Sequence, residues 1–384
     1  MMNVTKCVLN VSMWSAITIL SATPLFAQTK IDLGKQIATT TSVPLSTVAQ
    51  SIRHIPLETT DDCLLSNELN VCCTKEFIFV LDRQTKTVYR FSMEGKLLNR
   101  IGKQGQGPGE YILCMSLYVD TTRKTVFVLD SNSHKFYQYD YAGKFINSFK
   151  MDCFTYSMEK LGADYVYTNA FYNRDKKELF KMNASGTTLK STNTPYPATK
   201  GMSIEVPFFY NYQSKVFYKV PIDNTVYEVT ADLKKQPVYR FELGQYTPDP
   251  EERTLIIKGN QGTVRQAQGV VSITGMLETN SRLLVSYTYN KEEPMAVYDK
   301  QSGKIYIPKE GNQFGWKDDL GKGPAVKFSS SVASARVSTE PNQLVTLLFP
   351  NEIDWDKYKQ GSFAQTLQSM SEDDNPIVQI VTLK

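Results

Sequence analysis

The chain has 384 residues, enough for one large domain or two ordinary ones with a substantial core. Its 43 Lys+Arg nearly balance 39 Asp+Glu, and a formal net charge of +4 excludes the concentrated basic surface of a dedicated nucleic-acid binder. Hydrophobic residues at 41 % and charged residues at 21 % exclude wholesale disorder, and two histidines, His54 and His134, are too few for a His-rich metal centre.

The first segment, residues 1–28, reads as an export signal. Lys6 supplies a short positive region, Val8 to Leu20 is mostly apolar, and Leu25-Phe26-Ala27-Gln28 resembles a cleavage site after Ala27 or Gln28. The apolar run is shorter than the ~20 residues that span a bilayer and is broken by Ser12, Ser15 and Thr18, which argues against an anchor. No later segment is long and apolar enough to span. The expectation is a soluble protein, periplasmic or secreted, whose mature part (29–384) is one domain. Cys7 leaves with the signal, so Cys63, Cys72, Cys73, Cys114 and Cys153 remain. They read as buried small hydrophobes on strands, with one disulfide from Cys63 to Cys72 or Cys73 as the alternative.

Ser51 to Leu57 follows as an isolated strand. Then a repeat sets the architecture. Phe77-Ile78-Phe79-Val80-Leu81-Asp82 recurs 48 residues on as Thr125-Val126-Phe127-Val128-Leu129-Asp130. In the same register Val88-Tyr89-Arg90-Phe91 returns as Phe136-Tyr137-Gln138-Tyr139, and Gly95-Lys96-Leu97-Leu98 as Gly143-Lys144-Phe145-Ile146. Tyr, Phe, Val and Ile suit pleated, half-buried surfaces, and Gly supplies the positive φ of tight hairpins. With Leu117-Tyr118-Val119-Asp120 in front, the unit is a four-stranded antiparallel meander, the pattern of a β-propeller blade.

Weaker copies follow in order. Tyr165–Tyr167 with Leu179–Met182 makes a third. Val216–Tyr218, Val226–Val229 and Val238–Phe241 make a fourth. Leu283–Tyr287, Ala296–Asp299 and Gly303–Tyr306 make a fifth. Leu344–Leu348 and Ile377–Val381 supply two strands of a sixth. The fold expected is all-β: a six-bladed β-propeller of four-stranded antiparallel blades, closed by the Ser51–Leu57 strand adding to the last blade. Two stretches read as short helical insertions, Pro248 to Lys258 and Asn351 to Ser371.

The run Ile101-Gly102-Lys103-Gln104-Gly105-Gln106-Gly107-Pro108-Gly109-Glu110-Tyr111, with Val126 to Ser133, resembles the NHL-type repeat. Together with Ile55-Pro56-Leu57-Glu58-Thr59 and Asn375-Pro376, these motifs make the mature chain resemble the exported six-bladed β-propeller proteins of gut-dwelling Gram-negative bacteria. That family is largely of unknown function, so the resemblance implies a fold and an exported setting but no activity.

The glycine-rich run matches neither G-x-x-x-x-G-K-[ST] nor G-x-G-x-x-G, so it reads as a tight crossing between blades, with Glu110 and Tyr111 facing the channel mouth or anchoring the loop. Asp82, Asp130 and Asp299 end strands and read as caps on the following turns; a carboxylate ring holding Ca²⁺ is the alternative. Otherwise no cofactor and no metal ligand set is expected. No G-x-S-x-G elbow is present, neither histidine has a catalytic partner in sequence, and no catalytic residue is assigned. Glu58, Asn169 and Asp223 are the residue types a lactonase-like propeller would use. Tyr172, Tyr246, Trp316 and Trp355 read as core or as a stacking platform in the insertions.

The function expected is that of a noncatalytic, monomeric binding propeller, recognising a protein, peptide or glycan through loops at one end of the ring. The candidate contacts are Arg83, Glu110, Tyr111, Asn132, Tyr172 and Trp316, with no nucleic acid and no membrane span. A metal-dependent hydrolase or lyase with a carboxylate/amide site at the channel mouth is the alternative.

Overall fold

The computed structural model describes residues 28–384 apart from 172–175, 197–201, 204–205, 222, 249–253, 259–260, 265–268 and 330–335. Residues 1–27 of the expected signal, Tyr172 and the acidic turn at Asp249, Glu251 and Glu252 fall outside the described residues.

Six blades surround one axis. Blade 1 comprises Leu69–Cys73, Phe77–Asp82, Thr87–Ser92 and Leu97–Arg100. Blade 2 repeats the same plan with Cys114–Asp120, Thr125–Asp130, Lys135–Asp140 and Phe145–Lys150. Blade 3 begins at Met158–Leu161, blade 4 at Phe208–Tyr212 and blade 5 at Ser272–Glu278, each continuing through three more antiparallel strands. In blades 1 to 5 the first strand is innermost, and these inner strands touch in sequence around the axis.

Packing between blades accounts for most of the core, because alternate side chains on each strand face opposite neighbours. Six apolar clusters fill the six junctions. Phe79, Leu81 and Val88 of blade 1 meet Val126, Val128 and Tyr139 of blade 2. Phe127, Leu129 and Phe136 of blade 2 meet Tyr165, Tyr167 and Met182 of blade 3. The junction of blades 6 and 1 joins Ile55, Val378 and Ile380 to Val71, Ile78 and Val80.

The Gly-Lys turns of the repeat belong to this packing. Gly95 and Gly143 both have φ +86°, and a Cβ there would lie 1.9 Å from the Pro56 carbonyl oxygen and 2.4 Å from that of Arg100. Each turn thus presses its backbone onto the end of the preceding blade, where only glycine fits.

Charged groups add to three consecutive junctions. Between blades 2 and 3, burial alone would raise the Asp120 carboxyl, but hydrogen bonds from Thr122 and Tyr165 and the nearby Arg123 and Lys160 bring it down to about 2. Between blades 3 and 4, fully buried Glu178 takes both its oxygens to Lys235 Nζ, at 2.8 and 2.9 Å. Between blades 4 and 5, Glu278 accepts from Tyr210 at 2.9 Å, Tyr239 at 2.6 Å and Lys300 at 2.6 Å.

Closure follows the expected route. Ala49–Pro56 pairs antiparallel with Ile377–Leu383, which pairs with Gln343–Leu348, so an early strand and the final strand of the chain share blade 6. Arg336–Ser338, next before Gln343–Leu348 in the chain, pairs parallel with the inner strand of blade 1. A second parallel addition lies at the chain's start: Thr29–Ile31 extends the outer edge of blade 4 beside Tyr239–Phe241. From there residues 32–48 cross blade 5, where Thr41 exchanges backbone hydrogen bonds with Ile307 and Lys309, and reach Lys317 through Val43 and Leu45. The segment is an N-terminal strap over the last three blades.

One expectation is corrected and one is narrowed. Thr254–Lys258 is a strand paired with Gln261–Val264, not helix; the β-branched pair Ile256-Ile257 and the Gly262 that follows favour a hairpin. In Asn351 to Ser371 only Gly361–Leu367 is α-helix, with a short 3₁₀ turn at Pro350–Glu352. The five cysteines are free and buried, so the Cys63 disulfide does not form.

Candidate functional site

Antiparallel alternation decides which loops share an end of the ring. Each inner strand runs to a short hairpin at one end, and the second strand returns to the other. At that second end lie the turns between second and third strands and the crossings from blade to blade. Five of the six candidate contacts fall in such segments: Arg83 and Asn132 in the turns of blades 1 and 2, Glu110 and Tyr111 in the crossing from blade 1 to blade 2, and Trp316 in the crossing from blade 5 to blade 6; Tyr172 lies outside the described residues. This end is the loop rim.

Asp82 and Asp130 build the rim. Asp82 accepts from the backbone N–H groups of Gln84 and Thr85 in its own turn, at 3.0 and 3.1 Å, and of Ser66 in the incoming crossing at 2.9 Å. Asp130 repeats this with Asn132 and Ser133 at 2.9 and 3.2 Å, and with Ile112 and Leu113 at 2.7 and 3.2 Å. Each carboxylate thereby fastens a turn to a crossing, as the capping reading expects. Asp299 accepts from Ser302 in its own turn at 2.8 Å, the same device on a different hairpin.

The glycine-rich crossing is a compact loop. Tyr111 and Gly105 are joined by a backbone hydrogen bond of 2.9 Å, and Gly107 N–H donates to Glu110 Oε2 at 2.9 Å. That bond, with Lys103 at 3.5 Å, holds the Glu110 carboxyl below its ordinary range. Glu110 is therefore a loop anchor. Tyr111 is 1 % exposed and packs edge-on to Tyr139, so it faces the core instead of the channel mouth.

Trp316 is likewise enclosed, at 0 % exposure. Its backbone pairs with Val326, its ring fills the junction of blades 5 and 6, and its Nε1 donates to Tyr306 at 3.4 Å. Tyr246 packs on Tyr289, and Trp355 donates to the Pro350 carbonyl at 3.0 Å. Of the two readings of these aromatics, core or stacking platform, the packing one fits Trp316, Tyr246 and Trp355, and Tyr172 lies outside the described residues.

A different aromatic group occupies the loop rim. Phe154 and Tyr156, in the crossing from blade 2 to blade 3, and Phe171, in the blade 3 turn, are half-buried. Phe154 stacks on Phe171 with ring centroids 5.0 Å apart and meets Tyr156 edge-on at 5.0 Å. The crossing is pinned to the turn by the Ala170 N–H donating to the Phe154 carbonyl at 2.8 Å. Burial raises the Tyr156 phenol, and the guanidinium of half-buried Arg83 opposes that rise. Arg83 therefore lies in the field of the aromatic trio, while exposed Asn132 sits one blade along. Loop aromatics without alternation give no periodic signal, and the only sequence hint was three aromatic residues in Phe154, Tyr156 and Phe171 close to strand ends.

The lactonase-type candidates are committed to their own loops. Glu58 bonds Lys96 Nζ and the Leu97 N–H at 3.0 and 2.9 Å. The Asn169 amide spans its turn between the Phe171 N–H and the Lys177 carbonyl. Asp223 accepts from Tyr227 at 2.6 Å and Tyr196 at 3.0 Å. Among the described residues no three His, Cys, Asp or Glu side chains group as metal ligands would, and no helix is long and apolar enough to cross a membrane. Clefts of about 280 and 440 Å³ lie elsewhere, one lined by Glu58, Lys96 and Met370 and one between Lys35 and Lys304.

A search of curated proteins finds no match. Among solved structures the chain is similar to a Bacteroides fragilis protein named, provisionally, as exported: 21 % identity and TM-score 0.68, over 93 % of this chain and 99 % of that one. It also matches a member of the DUF4221 family from Bacteroides vulgatus at 10 % identity and TM-score 0.47, over 67 % of this chain and 84 % of the other. BamB from Moraxella catarrhalis matches at 11 % identity and TM-score 0.40, over 66 % and 67 %. A family model described as a domain of unknown function, DUF4934, matches residues 28–382, and the chain belongs to that family.

Proposed function

We propose that the protein is an exported recognition module that binds a protein, peptide or glycan at the loop rim without turning it over. The carrying observation is the half-buried trio Phe154, Tyr156 and Phe171 beside Arg83, on the end of the ring where the crossings and turns collect. Stacked rings with a neighbouring guanidinium suit a flat sugar face or a peptide side chain, because aromatic and Arg anchors supply most of the energy in small interfaces. The rim is well founded for this purpose, since Asp82 and Asp130 each hold a turn against a crossing. Export is supported by the N-terminal sequence and by the name of the Bacteroides fragilis relative.

The test is an array of glycans and envelope-derived peptides probed with the mature protein and with Tyr156→Ala, Phe154→Ala and Arg83→Ala. The expected result is a saturable ligand whose affinity falls at least about tenfold in Tyr156→Ala, as for a central aromatic contact. A ligand bound equally well by all three variants, or chemically altered on incubation, overturns the reading.

A further inference from the structure

The outermost strands of blades 1 to 3 share a feature that neither the blade packing nor the loop rim uses. Each has a β-bulge at the same place. In blade 1 Phe91 pairs with Leu97 and Arg90 with Asn99, which leaves Leu98 as the extra residue. In blade 2 Tyr139 pairs with Phe145 and Gln138 with Asn147, leaving Ile146. In blade 3 Met182 pairs with Thr188 and Lys181 with Lys190, leaving Leu189. Every extra residue stands three positions after its turn glycine, Gly95, Gly143 or Gly186. A bulge re-aims its extra side chain, and Leu98, Ile146 and Leu189 are 43, 49 and 53 % exposed. With Phe145, four of the seven large apolar side chains exposed among the described residues stand on these three strands. Exposed apolar residues scattered singly need no explanation, but one aliphatic knob per blade at a fixed position does.

Blades under the N-terminal strap lack these knobs. In blade 4 Leu233 takes the place of the turn glycine, and the residue three further on, Gln236, is polar and pairs in regular register with Glu228. The outer edge of that blade is filled by Thr29–Ile31. In blade 5 the third residue after Gly303 is Tyr306, which pairs regularly with Val297 and packs on the cluster that holds Leu45 and Val48 of the strap. The chain thus covers the outer wall of blades 4 and 5 with its own extended segment and leaves the wall of blades 1 to 3 bare. That bare wall is basic. The strands Leu97–Arg100, Phe145–Lys150 and Thr188–Asn193 contain no Asp or Glu. Lys144, Lys150 and Lys190 are exposed, and none is in an ion pair among the described residues.

We propose that the side wall of blades 1 to 3 binds an extended acidic segment of a partner protein, laid around the ring as the strap is laid on the other side. Its aliphatic side chains would meet Leu98, Ile146 and Leu189, and its carboxylates Lys144, Lys150 and Lys190. Unpaired lysines on a wall without acidic residues select a partner of opposite charge. An extended chain fits better than a folded face, because three of six blades span half the circumference and a flat surface cannot touch all three knobs together. A bilayer meets the same obstacle. The bulges interrupt edge pairing, so the segment is held through side chains instead of as a long added strand. This wall lies apart from the loop rim, and its partner is independent of the rim's ligand.

The test pans the mature protein against a phage library of random linear peptides about twenty residues long, enough at ~3.3 Å per residue to reach from blade to blade. Phage retained by a triple variant, Leu98→Gln with Ile146→Gln and Leu189→Gln, are subtracted. Surviving clones should be rich in aliphatic residues and in Asp and Glu. A synthetic peptide of such a clone, followed by fluorescence anisotropy, should lose about fivefold in affinity with at least two of the single variants and at least about thirtyfold with the triple. It should also lose at least about tenfold when NaCl rises from about 0.05 to about 0.5 M, as a charge-steered contact does. The variants should melt with the parent, since each changes an exposed side chain, and Gln236→Ala in blade 4 should bind as the parent does. Failure to find clones that separate parent from triple variant, clones without acidic enrichment, or binding indifferent to salt overturns the proposal. Sedimentation with phosphatidylglycerol vesicles that requires the three knobs would give the wall to a membrane, and a parent dimer lost in the triple variant would give it to a second copy; either result also overturns it.

Discussion

Asn375 gives the sharpest test of how the ring is closed. Its side chain is 1 % exposed and makes three bonds to the crossing from blade 6 to blade 1. Oδ1 accepts from the Leu65 N–H at 2.7 Å, and Nδ2 donates to the carbonyls of Glu58 and Cys63 at 2.8 Å each. Replacing it with alanine removes all three, takes that partner from the part-buried Leu65 N–H and Glu58 carbonyl, and leaves the buried Cys63 carbonyl with only the Thr60 N–H at 3.4 Å. At about 1 kcal/mol net per bond, plus the desolvation of groups left without partners, Asn375→Ala should cost roughly 3–5 kcal/mol. Against a total stability of about 5–15 kcal/mol that is a large fraction. Urea unfolding followed by tryptophan fluorescence and by far-UV dichroism would measure it. Asn375→Asp is the discriminating control, because aspartate keeps the acceptor for Leu65 but has no donor for the two carbonyls. It should be at least as damaging as alanine. A loss below about 1 kcal/mol in Asn375→Ala, or full rescue by aspartate, would refute the idea that this amide clasps the ring.

Three further outcomes follow from the packing. Gly95→Ala should destabilise by more than about 2 kcal/mol, since it meets both a positive φ and the Pro56 carbonyl; Gly162→Ala, with a positive φ but open space, should cost only about 1 kcal/mol in the same denaturation assay. Lys235→Met should cost about 3–5 kcal/mol by leaving Glu178 buried and unpaired, and Glu178→Gln added to it should recover most of that loss. His54 is pushed down to about 4 by burial, with Asp318 opposing, so the unfolded chain binds the extra proton between about pH 6.5 and 4. Stability should therefore fall as pH drops through that window, by about 2 kcal/mol between pH 7.5 and 4.5, and His54→Gln should remove this component from paired unfolding curves.

The sequence disclosed the fold where structure repeats. The 48-residue offset carries even backbone detail, since Lys86 and His134 occupy the same position in their turns and have φ +57° and +52°. Asp82 and Asp130, Gly95 and Gly143 were visible for the same reason: an identical local task selects an identical residue. Three-residue strands such as Thr29–Ile31 and Arg336–Ser338 were not visible, because parallel pairing to a distant strand leaves no alternation to read in so short a run. Trp316 looked loop-borne among glycines, but that loop folds back on Val326 and carries the indole inward. Glu159 of blade 3 and Asn211 of blade 4 meet where neighbouring blades pack, 52 residues apart, which no local pattern encodes.

The strap has a consequence for how the molecule is made. Residues 29–31 are synthesised early, yet their pairing partners at 239–241 arrive some two hundred residues later, and those of Ala49–Pro56 are the final strand of the chain. Such separations give a high contact order, which slows folding. Ile31, Leu33 and Ile37 stay uncovered until blades 4 and 5 are made, and Leu45 and Val48 until the final strand, so a holdase that shields nascent apolar segments should raise the yield of native ring, most of all when translation is slow.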